Sequence, residues 1–223
     1  ESSCSKRMSS NSRTPESVND PKYVVNLDKC EVSEETKEKL KALLLEFDDI
    51  FSKSQYDLGH AKCEPAEIIT TTQVPIANKP YRCPPKYREE LKKHIAELLR
   101  QGIIEESDTP WVSNLVPVRK ASGETRICID FRSLNAVTVP SRYPLPRLEA
   151  IIELLAGCNF YSTLDMAQGF FQIPLTLDAM NKCGLITENK VYRIRRLPFG
   201  LVNASCIFSR VMNACLKGVK GAK

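Results

Sequence analysis

Phe160-Tyr161-Ser162-Thr163-Leu164-Asp165-Met166-Ala167-Gln168-Gly169-Phe170-Phe171-Gln172-Ile173-Pro174-Leu175 is the stretch on which the reading of this chain turns. Its first half alternates aromatic or apolar residues with small polar ones, the period of a half-buried strand. Such a strand delivers one carboxylate, Asp165, to its end. Gly169 then permits a tight backbone approach, and two aromatic rings follow. A carboxylate so placed, with a neighbouring backbone carbonyl, suits a divalent cation. The same residue type also caps strands and starts turns, so on this stretch alone both readings stand.

Downstream, Lys182–Thr187 and Lys190–Arg195 read as a hairpin around Glu188-Asn189, and Leu197–Leu201 as a turn. Asn203 is placed to cap a last helix carrying Phe208, Val211, Met212, Cys215 and Leu216. Upstream, Tyr143-Pro144-Leu145-Pro146 is a rigid linker into a helix over 147–156. Leu148, Ile151, Ile152 and Leu155 would face inward there, and Gly157 would close it.

Before the linker lies a second hairpin, with arms Leu115–Lys120 and Thr125–Phe131 around a loop at 121–124. Its tip is basic, with Arg119 and Lys120 on one arm and Arg126 on the other. Cations there can close over a polyphosphate or simply keep an exposed hairpin soluble. Pro84 and Pro85 open an earlier helix that Gly102 closes, with Tyr87, Leu91, Ile95 and Leu98 along one face. Arg88, Lys92 and Lys93 read as its solvated side. Residues 57–80 are extended, with a short strand at Ile68–Thr72. Around Ser33 a further helix begins, with Leu40, Leu43, Leu44, Phe47 and Ile50 on one face. Asp48 and Asp49 resemble a metal-holding pair, but their helical spacing assigns them to the solvated side. Residues 1–22 are polar and read as a disordered leader.

Composition bounds the classes. The 223 residues are 42% hydrophobic and 26% charged, enough for one medium domain or a smaller one with appendages. No apolar run approaches the roughly 18 residues of a membrane span, so no membrane partner is expected. Residues 1–80 carry 11 Lys/Arg against 14 Asp/Glu, whereas 81–223 carry 21 against 13. The basic excess lies in the part holding Asp165 and suits a polyanionic partner. Nine scattered cysteines with no Cys-x-x-Cys, and only two histidines, argue against a zinc site. Cys128, Cys206 and Cys215 read as small core residues, and reduced thiols fit an intracellular protein.

Three stretches, Thr125–Asn135, Leu164–Leu175 and Leu197–Phe208, agree in order and spacing with one family. Together they resemble the reverse transcriptase of Gypsy-like long-terminal-repeat retrotransposon Pol polyproteins. Pro80-Tyr81-Arg82, Leu99–Ile104 and Ser113 add to the likeness, as do Glu46-Phe47 and Asp57-Leu58-Gly59. The resemblance implies an α+β fold: right-hand polymerase fingers and an incomplete palm. The implied organisation is a leader at 1–30, a protease-to-polymerase connector at 31–78, and fingers with partial palm at 79–223.

It further implies that Asp165 is catalytic and ligates two Mg2+ ions (or Mn2+), with Met166 lending a backbone carbonyl. Gln168 and Gly169 match positions lining the nucleotide pocket. Phe170 matches the ring beneath the incoming sugar, where many relatives carry Tyr. Arg126 and Lys120 (or Arg119, a residue away in alignment) match triphosphate-binding cations. Phe199 and Gly200 match the turn supporting nucleotide and template. Asp130 and Arg132 pin the hairpin, with template contact as the other reading.

The implied partners are an RNA or DNA template–primer, dNTPs and the rest of the polyprotein. The implied setting is intracellular: cytoplasmic virus-like particles, and the nucleus. The family's second carboxylate pair, in a Tyr-x-Asp-Asp turn, is expected shortly beyond Lys223. This chain alone is therefore expected to be an inactive fragment of an RNA-directed DNA polymerase. The alternatives are a non-catalytic nucleic-acid-binding remnant, or a domesticated partner-binding protein.

Overall fold

The computed structural model describes Leu27 and residues 30–54, 57–119, 125–145 and 147–219. Residues 1–26, and so most of the leader expected at 1–30, together with Lys120 and the loop at 121–124, lie outside the described residues. The chain divides into two units, Glu1–Asp57 and Leu58–Lys223.

In the first unit, helix α1 (Glu34–Glu46) starts where expected. Ser33 Oγ accepts the Thr36 amide, and Glu34 and Glu35 sit at the positive end. The pairs Glu34–Lys37, Glu35–Lys39 and Glu38–Lys41 run along exposed surface, each worth a few tenths of a kcal/mol. No residue of α1 is buried, and Leu43, Phe47 and Ile50 stay exposed. Asp48 and Asp49 lie in a short 3-10 turn, where Asp48 pairs with Lys53.

The second unit is built on a five-stranded sheet in the order β1-β5-β4-β2-β3. Its strands are β1 (Ile104–Glu106), β2 (Ser113–Arg119), β3 (Thr125–Asp130), β4 (Gly184–Ile186) and β5 (Val191–Ile194). The β2–β3 hairpin has the expected arms, with Arg119 opposite Thr125 and Val118 opposite Arg126. The β4–β5 hairpin pairs Leu185 with Tyr192. The remaining helices are α2 (Arg88–Arg100), α3 (Arg132–Val137), α4 (Leu148–Leu155), α5 (Leu177–Lys182) and α6 (Ala204–Cys215). At the end of α2 the Ile103 amide reaches back to Leu98 O at 2.9 Å, the six-to-one bond of a glycine-terminated helix.

Leu98, Phe131, Ile173, Leu185, Ile194 and Leu197 anchor the core. The extended run from Leu58 follows it as a strap. Ala61 N donates to Gln172 O and Ala66 N to Pro174 O, both at 2.8 Å. The strand expected at Ile68–Thr72 makes a single bridge, Thr70 to Thr138, rather than a ladder.

β2 and β4 run parallel, Ser113 beside Leu185, and this crossing fixes Gly184. A Cβ there would lie 1.9 Å from Trp111 O and 2.6 Å from Thr109 Cγ2. Neither the backbone carbonyl nor a paired strand can step aside. Gly184→Ala is expected to destabilise the unit by about 2–3 kcal/mol, lowering the unfolding midpoint by roughly 5–10 °C. Calorimetry checks this, and a midpoint within about 1 °C of the parent would remove the packing argument.

Several expectations need correction. Residues 160–165 form no strand, and Phe160, Tyr161 and Leu164 are exposed. The alternation is present, but no described segment offers a backbone to pair with. On α4, Ile152 and Leu155 are exposed rather than inward, because no described element covers that side. Lys182 ends α5 instead of opening a strand; its buried ammonium pairs with Asp178 and donates to Ile68 O at 2.9 Å. Among the described residues the buried cysteines are Cys83 and Cys183, whereas Cys215 is exposed and Cys128 and Cys206 are half-buried. Asn203 precedes α6 without capping it.

Candidate nucleotide-binding cleft

The chain reverses sharply just after Asp165. Gln168 adopts the left-handed conformation, φ 47° and ψ 44°, which costs a non-glycine residue about 1 kcal/mol. The turn is held from both sides: Phe171 N donates to Gln168 O at 2.8 Å and Gln172 Nε2 to Ala167 O at 2.9 Å. The following 3-10 turn, Gly169–Gln172, presses against α6 so closely that a Cβ on Gly169 would lie 2.8 Å from the Phe208 ring.

This folding opens a cleft of about 560 Å³, with Asp165, Met166, Gln168 and Gly169 on one side. Phe170 and Phe199 form its aromatic wall, 4.8 Å between centroids and inclined by 46°. Phe208 meets Phe170 edge-on at 5.2 Å, and Phe171 meets Phe199 at 5.5 Å. These are the separations at which ring pairs attract beyond their buried area. The Arg126 guanidinium lies over the Phe199 ring at 5.9 Å, within cation–π reach. The start of β3 thus brings a cation to the Phe199 ring.

Six of the expected site residues therefore share one cleft: Asp165, Met166, Gln168, Gly169, Phe170 and Phe199. Arg126 joins them through Phe199, and Gly200, at φ 92°, turns the chain beside it. Lys120 lies outside the described residues. Asp130 and Arg132 are bound to one another by two bonds of 2.8 and 2.6 Å. The hydrogen-bonded guanidinium holds the Asp130 carboxyl below its usual range.

The other wall belongs to α6, through Phe208, Ser209, Met212 and Asn213, and to Leu216 just past its end. Sequence reasoning missed these as cleft residues. Phe208, Met212 and Leu216 recur every four residues, which is also the pattern of a core-facing stripe.

Asp165 is exposed, and its carboxylate makes no hydrogen bond or ion pair with the described residues. No group of three or more metal-ligating side chains occurs among them. One free carboxylate beside backbone carbonyls is a hard-oxygen donor set of the kind Mg2+ accepts, but only part of one.

Against this geometry, residues 118–223 match the family model described as reverse transcriptase (RNA-dependent DNA polymerase). This segment belongs to the reverse transcriptases. Residues 19–89 match the model for the spumavirus aspartic protease, which overlaps the stretch read as a protease-to-polymerase connector. The Pol polyprotein from transposon 297 of Drosophila melanogaster is 33% identical over 92% of this chain and 20% of its own length. That from transposon opus, also of Drosophila melanogaster, is 39% identical over 82% of this chain and 19% of its own. The chain thus spans about a fifth of these curated relatives.

Among solved structures, the foamy viral protease–reverse transcriptase in complex with an RNA/DNA hybrid superposes with a TM-score of 0.80. It is 25% identical, over 88% of this chain and 27% of that one. The architecture is therefore α+β, the fingers and part of the palm of a reverse transcriptase of the long-terminal-repeat retrotransposon Pol type.

Proposed function

We propose that this chain supplies the fingers and part of the palm to an RNA-directed DNA polymerase that transfers nucleotides from dNTPs to a primer. The observation that carries the reading is the convergence of Asp165, Gln168, Phe170 and Phe199 on one cleft beside Arg126.

Each residue has a task there. Phe170, braced by Phe199 and Phe208, offers a flat wall that leaves a deoxyribose room and crowds a 2′-hydroxyl. Arg126 and Lys120 neutralise the triphosphate as the hairpin closes over it. The fixed left-handed turn at Gln168 presents polar backbone and side-chain groups to the nucleotide. Asp165, with the Met166 carbonyl, would contribute to holding divalent cations. When bound, such ions supply charge compensation to phosphate oxygens and acidify the attacking hydroxyl. The remaining ligands come from elsewhere in the complete polymerase. The basic excess of residues 81–223 favours a template–primer as the macromolecular partner.

The test is primer extension by the complete polyprotein's polymerase on an RNA template. Mg2+- and dNTP-dependent products are the expected result. Salt-sensitive template binding without extension would favour the second reading, a nucleic-acid-binding remnant.

A further inference from the structure

The turn from Phe199 to Asn203 carries part of the aromatic wall yet lies outside any helix or strand. Two side-chain amides hold it. Asn135, on α3, donates from Nδ2 to Gly200 O at 2.8 Å and accepts the Val202 amide at Oδ1, 2.9 Å. Asn203 donates from Nδ2 to Val139 O and accepts the Ser141 amide at Oδ1, both at 2.8 Å. Each amide therefore engages a carbonyl and an N–H two residues apart, the pairing a neighbouring strand would offer.

Asn203 makes these bonds instead of capping α6. The segment it grips leads into the linker at Tyr143, which lies beside that helix. Asn213 Nδ2 donates to Tyr143 Oη at 2.8 Å, and the Arg210 guanidinium lies 5.2 Å from the Tyr143 ring. The turn, the linker and the α6 wall are thus laced into one body.

Phe199 itself is held mainly by its rings and by the Arg126 contact. Such contacts set the distance and tilt between rings but do not fix the course of the backbone that carries Phe199. The amide bonds are directional and fix the backbone that carries it.

We propose that Asn135 and Asn203 are positioning residues for the nucleotide pocket. They hold Phe199 against Phe170 before a nucleotide arrives, so that binding does not have to order the wall. The proposal rests on the polymerase reading above.

The complete polymerase is compared with its Asn135→Ala, Asn203→Ala and Asn135→Asp variants, measuring KM for dNTP and kcat separately. The expected result is a KM raised about tenfold in the alanine variants, as follows from losing one or two such bonds. Asn135→Asp keeps the acceptor for Val202 but sets a carboxylate oxygen against Gly200 O in place of the donor, so KM should rise here too; this near-isosteric variant also covers a failure of Asn135→Ala to fold. Throughout, kcat should stay within about threefold of the parent. A merely structural role would lower kcat through a smaller folded fraction at unchanged KM, and that outcome overturns the proposal.

A second arm uses the 223-residue chain with labelled phenylalanines. Ring-to-ring NOEs between Phe170 and Phe199 are expected in the parent and lost in Asn135→Ala or weakened in Asn135→Asp; their persistence at full strength overturns the proposal. If the parent polymerase extends no primer, the polymerase reading falls and the NOEs alone decide the clamp.

Discussion

Asp165→Asn in the complete polymerase is expected to remove primer extension, by about a thousandfold or more. That loss corresponds to several kcal/mol of transition-state charge stabilisation. The exchange is nearly isosteric, and Asp165 makes no hydrogen bond or ion pair with the described residues. No described residue therefore depends on its charge, and the unfolding midpoint should not move. Template–primer binding should also survive, staying within about threefold, because it draws on distributed Lys and Arg rather than on one carboxylate. Single-turnover extension and equilibrium binding at fixed salt separate the two effects. Extension at the parent rate would remove Asp165 from the chemistry altogether. An equal loss of binding and extension would make it a template contact instead.

The second large effect concerns sugar choice. Phe170 is braced on two sides, by Phe199 at 4.8 Å and Phe208 at 5.2 Å, so its ring cannot swing away from a bulkier sugar. Phe170→Val removes the outer ring atoms and leaves a space that the two braces do not fill. Discrimination against ribonucleotides should fall by about 10- to 100-fold, the range available to steric exclusion of one small group. The measurement is the ratio of kcat/KM for matched dNTP and rNTP. Since binding of dNTP needs no contact with the missing atoms, its own KM should change less than the ratio does. An unchanged ratio would assign the ring to packing rather than to selection.

Local chemistry was readable from the sequence wherever it was self-contained. Ser33 and the acidic pair behind it announce α1, Pro85 and Gly102 bracket α2, and the β2–β3 hairpin has its expected arms. What escaped depends on a partner distant in sequence. The α6 stripe of Phe208, Met212 and Leu216 has the same period whether it faces a core or a cleft, and only the fold distinguishes them. Asn203 stands where a cap belongs, but Val139 and Ser141 compete for its amide from more than 60 residues away. The alternation at 160–165 is a strand's pattern without a strand's neighbour. Helix α5 was missed although Thr176 accepts the Ala179 amide at its start, because the β-hairpin pattern was extended back over Lys182.

The strand order also dictates when the sheet can exist during synthesis. β1 is made early, at Ile104–Glu106, yet among the described residues its only ladder is with β5, ending at Ile194. β2 meets β3 within a few residues but waits for β4 to cover its other edge. At roughly 5–20 residues per second, the ribosome needs about 5 to 18 seconds to connect the two ends of this pairing. Throughout that interval Ile103 and Ile104, each 2% exposed in the finished fold, lack the β5 strand that will cover them. The nascent chain carries a hairpin without its β4 neighbour and an open apolar edge until β5 is made, so any chaperone contact with Ile103 and Ile104 is confined to the time before residue 194 emerges.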